Sequence, residues 1–195
     1  MDTLSLDLTK RYTYADYLTW MDDVRRELID GIVSLMAGTS INHGKVGKNL
    51  IWRLESIVRS NKATCEVFYA PIDVCLPQNG ETGNDKIYTV VQPDIFIVCD
   101  HAKLEDGRCL GAPDMIIEIL SPSNRKKDLV TKFLLYQNAG VREYWIADPR
   151  LKAVTAHILQ DNGEYSDGDL YISGEKVPVH IFDGFLINVD EIFNF

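Results

Sequence analysis

The first feature of this sequence that could carry chemistry is an acidic residue inside an apolar segment. Glu118 lies within residues 115–120, and the other five residues of that segment are apolar. Burying an isolated carboxylate costs several kcal/mol, so Glu118 must be paired, protonated or bound to a cation. Asp94 stands 24 residues earlier, at the start of another apolar segment. If the two segments are neighbouring strands, both carboxylates meet at one end of a sheet and repel each other unless a proton or a metal lies between them.

The residue types available for such a site favour a hard cation. The four histidines are scattered and show no ligand spacing, so carboxylate oxygens favour Mg²⁺ or Mn²⁺ over zinc. A bound ion of this kind lowers the pKa of a bound water and stabilises charge that develops on a phosphate. The alternative is that Glu118 pairs with a lysine or arginine in the core, while Asp94 merely follows Pro93 in a turn. The residues alone leave both interpretations open.

Hydrophobic patterning predicts the elements that position these acids. Strands are expected over residues 66–76, 87–99, 114–120 and 141–147, helices over 40–60 and 125–138, and hairpins over 27–35 and 152–172. The two hairpins turn at Asp-Gly and Asn-Gly, which are strong hairpin signals. This order predicts one α/β domain over residues 1–195, with a mixed central sheet flanked by helices and a hairpin towards each end.

Composition and charge exclude several classes of protein. The net charge of −9 argues against a general nucleic-acid coat protein, although a local basic surface stays possible. No run approaches the ~20 apolar residues that span a bilayer, and the N-terminus is acidic where a secretory signal needs base, so we expect a cytoplasmic protein. The four cysteines form no C-x-x-C pair, which predicts reduced thiols packed in the core rather than a zinc site or disulfides.

Several short motifs are weak alone but specific in their order and spacing. They are Glu27-Leu28-Ile29-Asp30-Gly31, Gln92-Pro93-Asp94, Pro113-Asp114, Glu118-Ile119-Leu120-Ser121-Pro122-Ser123, Asp128-Leu129 with Lys132 and Tyr136, and Gly140-Val141-Arg142-Glu143-Tyr144-Trp145-Ile146-Ala147-Asp148-Pro149. From about residue 14 to the end, the chain resembles the Uma2 (Uma-two) family of proposed restriction endonucleases, a branch of the PD-(D/E)XK nuclease superfamily. The resemblance implies a restriction-endonuclease-like α/β core, magnesium-dependent hydrolysis of phosphodiester bonds in DNA, and often a homodimer.

The resemblance also implies roles for particular residues. Asp94 corresponds to the motif aspartate, Glu118 to the acidic residue of the D/E-X-K element, and Glu27 to an additional acid, so that all three would bind the metal. The sequence departs from the pattern at Leu120, where the superfamily has a lysine that helps hold the attacking water and the scissile phosphate. Because related sequences supply a basic group from the next helix, Lys132 is the leading substitute.

Lys126 is the second candidate for that substitute. On a helical wheel, Lys132 falls close to Tyr136 at the edge of the inward face, which suits a catalytic role. The competing interpretation is a surface ion pair between Asp128 and Lys132, which are spaced i,i+4 and would contribute only a few tenths of a kcal/mol.

Two basic regions are candidates for contact with DNA. Arg125, Lys126 and Lys127 immediately follow the acidic strand and are the predicted phosphate contacts. The helix over residues 40–60 also carries a cationic face with one aromatic residue, made of Lys45, Lys48, Trp52 and Arg59. A solvated helix surface is the more usual explanation for such charges, and the sequence slightly favours it over contact with nucleic acid.

A non-enzymatic alternative also fits the sequence. In it the chain is an interaction or DNA-binding module that keeps the nuclease fold without the chemistry. Leu120 and the acidic net charge both favour that alternative.

Overall fold

The structure is a computed structural model that describes residues 4–36, 38–61, 64–78, 80–105, 107–121 and 127–195, with only the backbone of residues 127–129. Its helices are α1 (Tyr14–Tyr17), α2 (Ile41–Asn61), α3 (Phe133–Ala139) and α4 (Val189–Ile192), with a 3₁₀ turn at His101–Lys103 and a π-helical turn at Lys127–Lys132. Its strands are β1 (Arg26–Ile29), β2 (Ile32–Leu35), β3 (Glu66–Tyr69), β4 (Asp73–Cys75), β5 (Val90–Val91), β6 (Ile95–Val98), β7 (Leu104–Glu105), β8 (Arg108–Leu110), β9 (Met115–Ile119), β10 (Glu143–Asp148), β11 (Ala153–Ile158), β12 (Asp169–Tyr171), β13 (Lys176–Pro178) and β14 (Leu186–Asn188).

The strands of the described residues form two mixed sheets and a separate pair. The first sheet has the order β2-β1-β5-β4-β8-β7, the second has the order β12-β11-β10-β9-β6-β3, and β13 pairs with β14. In the second sheet β9 and β10 are parallel, and the other neighbours are antiparallel. The predicted mixed α/β fold is confirmed, with its strands divided between two sheets.

Two predicted strands are wrong as single elements, and a proline interrupts each of them. The segment 66–76 divides into β3 and β4 around Pro71, and the segment 87–99 divides into β5 and β6 around Pro93. Proline has no N–H to donate to a ladder, so regular pairing stops there. In both cases the chain passes from one sheet to the other, because β3 pairs with β6 while β4 pairs with β5.

The second sheet has a core on each face, and the alternation along β9 decides what Glu118 faces. One face packs the apolar side of α2 against β6, β9 and β10. On the other face Ile116 and Leu120 pack with Tyr136 of α3 and with residues of β4 and β5. Glu118 lies between Ile116 and Leu120 in the alternation, so its side chain points towards α3 and the first sheet.

The hairpin of β1 and β2 positions Glu27. Asp30 and Gly31 have φ angles of 51° and 81°, as a tight two-residue hairpin turn requires, so this prediction is confirmed. Leu28 packs with Val90 and the aromatic residues of the N-terminal segment, whereas Ile29 packs against the core that surrounds Tyr136. Because side chains alternate along a strand, Glu27 shares the face of Ile29 and points towards the second sheet.

The cysteines correct one expectation and confirm another. Cys65 and Cys99 form a disulfide, which the prediction of four reduced thiols did not include. The pairing of Glu66 with Val98 explains this, because the next residues outward on β3 and β6 are the two cysteines. Cys75 and Cys109 are free and buried as predicted, and burial raises the pKa of their thiols to about 12 and about 11.

No helix of the described residues is long and apolar enough to cross a membrane.

Gly31→Ala should destabilise the hairpin that carries Glu27. A Cβ at Gly31 would lie 3.0 Å from both Arg11 Cβ and Tyr12 O, in a left-handed conformation that costs an L-residue about 1–2 kcal/mol. Gly174→Ala is the matched control, because Gly174 has a φ of 87° but a Cβ there meets nothing within 4 Å. Urea unfolding should show a larger loss in the free energy of unfolding for Gly31→Ala than for Gly174→Ala. Equal losses in the two variants would contradict the argument that the Cβ at position 31 is crowded.

Candidate active site

A lysine ammonium and two glutamates from three separate elements meet in the interior. Nζ of Lys132, the last residue of the π-helical turn, lies 2.7 Å from Oε1 of Glu118 on β9. The same Nζ lies 2.9 Å from Oε1 of Glu27 on β1. The side chains are 4%, 2% and 0% exposed, respectively. At this depth an ammonium and carboxylates interact strongly, and each group depends on the others to offset its desolvation.

Two further donors hold the glutamates in place. The hydroxyl of Tyr136 donates to Glu118 Oε1 at 2.7 Å, and the backbone N–H of Gln92 donates to Glu27 Oε1 at 3.1 Å. Burial, together with the nearby charges of Glu118 and Glu27, raises the pKa of Tyr136 well above its usual value. The phenol therefore keeps its proton and remains a donor at neutral pH.

Asp94 lies beside this cluster, at the end of the neighbouring strand. The pairing of Ile95 with Ile117, continued by one residue, sets Asp94 opposite Glu118. Oδ2 of Asp94 accepts the backbone N–H of Ile119 at 2.7 Å and lies 3.1 Å from Nε2 of His43 in the first turn of α2. Its side chain is 15% exposed, so Asp94 is the most open of the three acids.

The structure thus brings together most of the residues that the sequence predicted for the site. Lys132 contacts both Glu27 and Glu118, and Asp94, immediately before β6, lies opposite Glu118. The interpretation of Lys132 as part of a surface ion pair is wrong, because its side chain is buried. The alternative in which Glu118 pairs with a core cation is confirmed as a contact, and the cation is the predicted helper lysine.

The predicted phosphate contacts are not tested by the geometry. Arg125 and Lys126 lie outside the described residues, and only the backbone of Lys127 is described. The alternative role of Lys126 as the substitute lysine is likewise outside them.

The chemistry of the acids fits a hard divalent cation, since all three offer carboxylate oxygens. Within the described part of the chain, no group of three or more His, Cys, Asp or Glu residues stands ready to hold a metal ion. The contacts of the acids show what occupies them instead. The Lys132 ammonium contacts both glutamates, and Asp94 Oδ2 is engaged by Ile119 and His43.

Three residues of the site were not predicted to contribute. The helical wheel places Tyr136 near Lys132, and the i,i+4 spacing lets both side chains reach Glu118. The segment Asn42-His43-Gly44 favours a helix start over a contact near the site, and the structure shows both, because His43 lies in the first turn of α2 and contacts Asp94. Gln92 contributes its backbone N–H to Glu27, which no side-chain pattern reveals.

Acids from neighbouring strands thus meet a lysine from the following helical segment, within a mixed α/β fold. A crystal structure from Anabaena variabilis, described as "a putative nuclease belonging to DUF820", has a similar fold, with a TM-score of 0.74 over 94% of this chain and 98% of that chain. The two sequences are 18% identical.

The family follows from the sequence match. Residues 14–190 match the Uma2 family model, whose description is "Putative restriction endonuclease", and the chain belongs to this family. An uncharacterized protein of Synechocystis is 24% identical over 155 residues, which cover 77% of this chain and 75% of that protein. The family expected from the sequence motifs is therefore confirmed.

Lys132→Met should lower the free energy of unfolding at neutral pH by about 3–5 kcal/mol, because it leaves buried carboxylates without their ammonium. The difference in free energy of unfolding between the wild type and this variant should become smaller as the pH falls. Without the ammonium, the buried negative charges lose their partner, and protonation at low pH removes the cost of burying them. Urea unfolding at several pH values measures both effects. Lys176→Met, which replaces an exposed lysine, should change the free energy of unfolding little. An equally small change in Lys132→Met would contradict the assigned ion pairs.

Proposed function

We propose that this protein is a metal-dependent endonuclease that hydrolyses phosphodiester bonds in DNA with Mg²⁺ or Mn²⁺. One observation carries the proposal: the ammonium of Lys132 reaches the carboxylate of Glu118 from the helical segment that follows β9. The chain thereby places a lysine beside the motif acid although Leu120 stands at the usual lysine position. Membership of a family described as "Putative restriction endonuclease" supports the same activity.

The proposed roles are those that the resemblance to the family implies for each side chain. Asp94 and Glu118, with Glu27 as the additional acid, would hold the divalent cation through carboxylate oxygens. When bound, the cation supplies a Lewis acid for the phosphate and lowers the pKa of a water. Lys132 stabilises the negative charge that develops on the phosphate in the transition state. Leu120 takes no part, because it packs in the core beside Ile116.

Four further predictions from the sequence concern contact with DNA, the oligomeric state, the domain organisation and the location in the cell. Arg125, Lys126 and Lys127 would contact substrate phosphates, because they directly follow the acidic strand in the chain. The homodimer, the single domain and the cytoplasmic location also stay predictions.

A second candidate function is favoured by the burial of the cluster. Glu118 is only 2% exposed and its Oε1 already accepts two hydrogen bonds, as expected if the ion pair serves folding alone. In that case the chain is a nuclease-fold module that binds a partner or DNA without cleaving it. The two functions differ in their response to metal, which makes them separable by experiment.

Cleavage of DNA should require Mg²⁺ or Mn²⁺ and stop when EDTA is added. Purified protein is assayed on supercoiled plasmid, linear duplex and single-stranded DNA, with each ion and without. Glu118→Gln should abolish cleavage, because a neutral amide is a poor ligand for a hard cation. Glu143→Gln is the matched control, since Glu143 is equally buried on the adjacent strand but bonds to Trp145 and Ile181 outside the cluster.

Thermal melting tests the metal site without relying on activity. A ligand that binds only the folded state stabilises it by about 2.7 kcal/mol at a hundredfold excess over Kd. Wild type and Glu143→Gln should therefore melt at a higher temperature with Mn²⁺ than with EDTA, and Glu118→Gln should not. The absence of both cleavage and a melting shift in the wild type would favour the non-enzymatic module.

A further inference from the structure

A groove on the outer surface of α2 is separate from the acidic cluster. It has a volume of about 800 Å³, and its lining includes Gly44, Lys48, Ile51, Trp52, Arg59 and Tyr69. Trp52 and Tyr69 are 64% and 56% exposed, although aromatic side chains of this size usually bury most of their surface. Two aromatic rings presented to solvent in one groove form a surface that suits flat ligands.

The contacts of Trp52 hold its ring in a defined position. The guanidinium of Arg53 lies 4.5 Å from the centroid of the Trp52 ring, and Arg53 in turn pairs with Glu191 of α4 at 3.2 Å. A ring restrained in this way loses little conformational freedom when a ligand stacks on it, so more of the stacking energy appears as affinity.

The groove also carries positive charge on a chain whose net charge is −9. Its lining carries two exposed cations, Lys48 and Arg59, against one acid, Glu55. Arg59 has a partner in Glu55 at 3.4 Å, but the arginine side chain of this pair is 82% exposed, so solvent screens the attraction and the guanidinium can still meet a phosphate. Aromatic rings between cations are the combination that binds single-stranded nucleic acids.

One end of the groove adjoins the candidate active site. Gly44 directly follows His43, whose ring contacts Asp94 Oδ2. Tyr69 pairs with Ile95, and the next residue, Ala70, donates its backbone N–H to the carbonyl of Asp94 at 3.2 Å. A nucleic-acid strand that is bound at Asp94 and extends along α2 would therefore enter the groove.

We propose that this groove binds unpaired nucleotides of a single DNA strand, with bases stacked on Trp52 and Tyr69 and phosphates near Lys48 and Arg59. The choice of DNA rests on the proposed function. A single strand fits better than a duplex, because paired bases are already stacked and do not offer their faces to aromatic side chains.

Titration of a fluorescently labelled oligothymidylate in EDTA tests binding separately from cleavage. Trp52→Ala and Tyr69→Ala should each weaken binding about 5- to 150-fold, the range expected for loss of one base–aromatic stack. Leu170→Ala is the matched control, because Leu170 is 62% exposed on β12, the opposite edge strand of the sheet that contains Tyr69. Melting temperatures of the three variants should remain close to that of the wild type, since all three side chains are exposed.

Two further variants test the groove without removing an aromatic ring. Gly44→Leu should weaken binding by obstructing the end near Asp94, because a Cβ at Gly44 meets nothing within 4 Å and the added side chain enters open space. Lys48→Gln should reduce the slope of log K against log salt concentration by about 0.7, as expected when one contact to a single-strand phosphate is lost.

Wild-type affinity in the Trp52, Tyr69 and Gly44 variants would overturn the proposal. So would tighter binding of duplex DNA or of RNA than of single-stranded DNA. If Trp52→Ala converts a dimer into a monomer and leaves DNA affinity unchanged, the groove is an interface between copies of this chain. Binding that depends on Trp52 and Tyr69, in a protein that cleaves no DNA with any metal, would support the groove and reject the nuclease.

Discussion

The contact of one buried ammonium with two buried carboxylates is the constraint on which the arrangement of this protein depends. Glu27 comes from the first sheet, Glu118 from the second, and Lys132 from the segment before α3. Any packing that separated these elements would leave a charge in the interior, which costs several kcal/mol. The cluster therefore favours the native packing of the two sheets over any packing that separates its members.

On the proposed function, the chemistry of the site constrains where a lysine lies in space rather than where it stands in the sequence. Position 120 shares the face of Glu118, where a lysine would reach the carboxylate along the strand. Leu120 instead packs with Ile116 and Tyr144 in the core. The ammonium comes from the helical segment that packs on this same face, on Lys132, and Tyr136 one helical turn later is a second donor to Glu118. The chain can therefore carry an apolar residue at position 120 and still place a lysine beside Glu118.

Local patterns predicted the parts of the fold that local physics determines. The Asp30-Gly31 turn, the apolar face of α2 and the run that becomes β9 depend on neighbours a few residues away. The assignment of strands to two sheets depends on the bends at Pro71 and Pro93, whose consequence is decided by pairing partners far along the chain. The disulfide between Cys65 and Cys99 depends on the register of two distant segments in the same way. Glu118 and Asp94 could be selected because burial of an acid is costly wherever it occurs, whereas the sequence left the role of His43 open and the N–H of Gln92 gained significance only from the tertiary contacts.

The unequal exposure of the three acids indicates from which side a ligand approaches the candidate site. Glu27 and Glu118 are enclosed with Lys132, whereas Asp94 is 15% exposed and is held from behind by the N–H of Ile119 and by His43. A ligand arriving from solvent meets Asp94 before it meets either glutamate. The same aspartate adjoins the end of the α2 groove through His43 and Ala70. On the proposed function, a DNA strand would therefore approach from the Asp94 side, and its phosphate could come within reach of Lys132 only if the ion pairs of the two glutamates rearranged. Substrate or cation binding would then be coupled to the same contacts that hold the two sheets together, so stability and activity share one set of side chains.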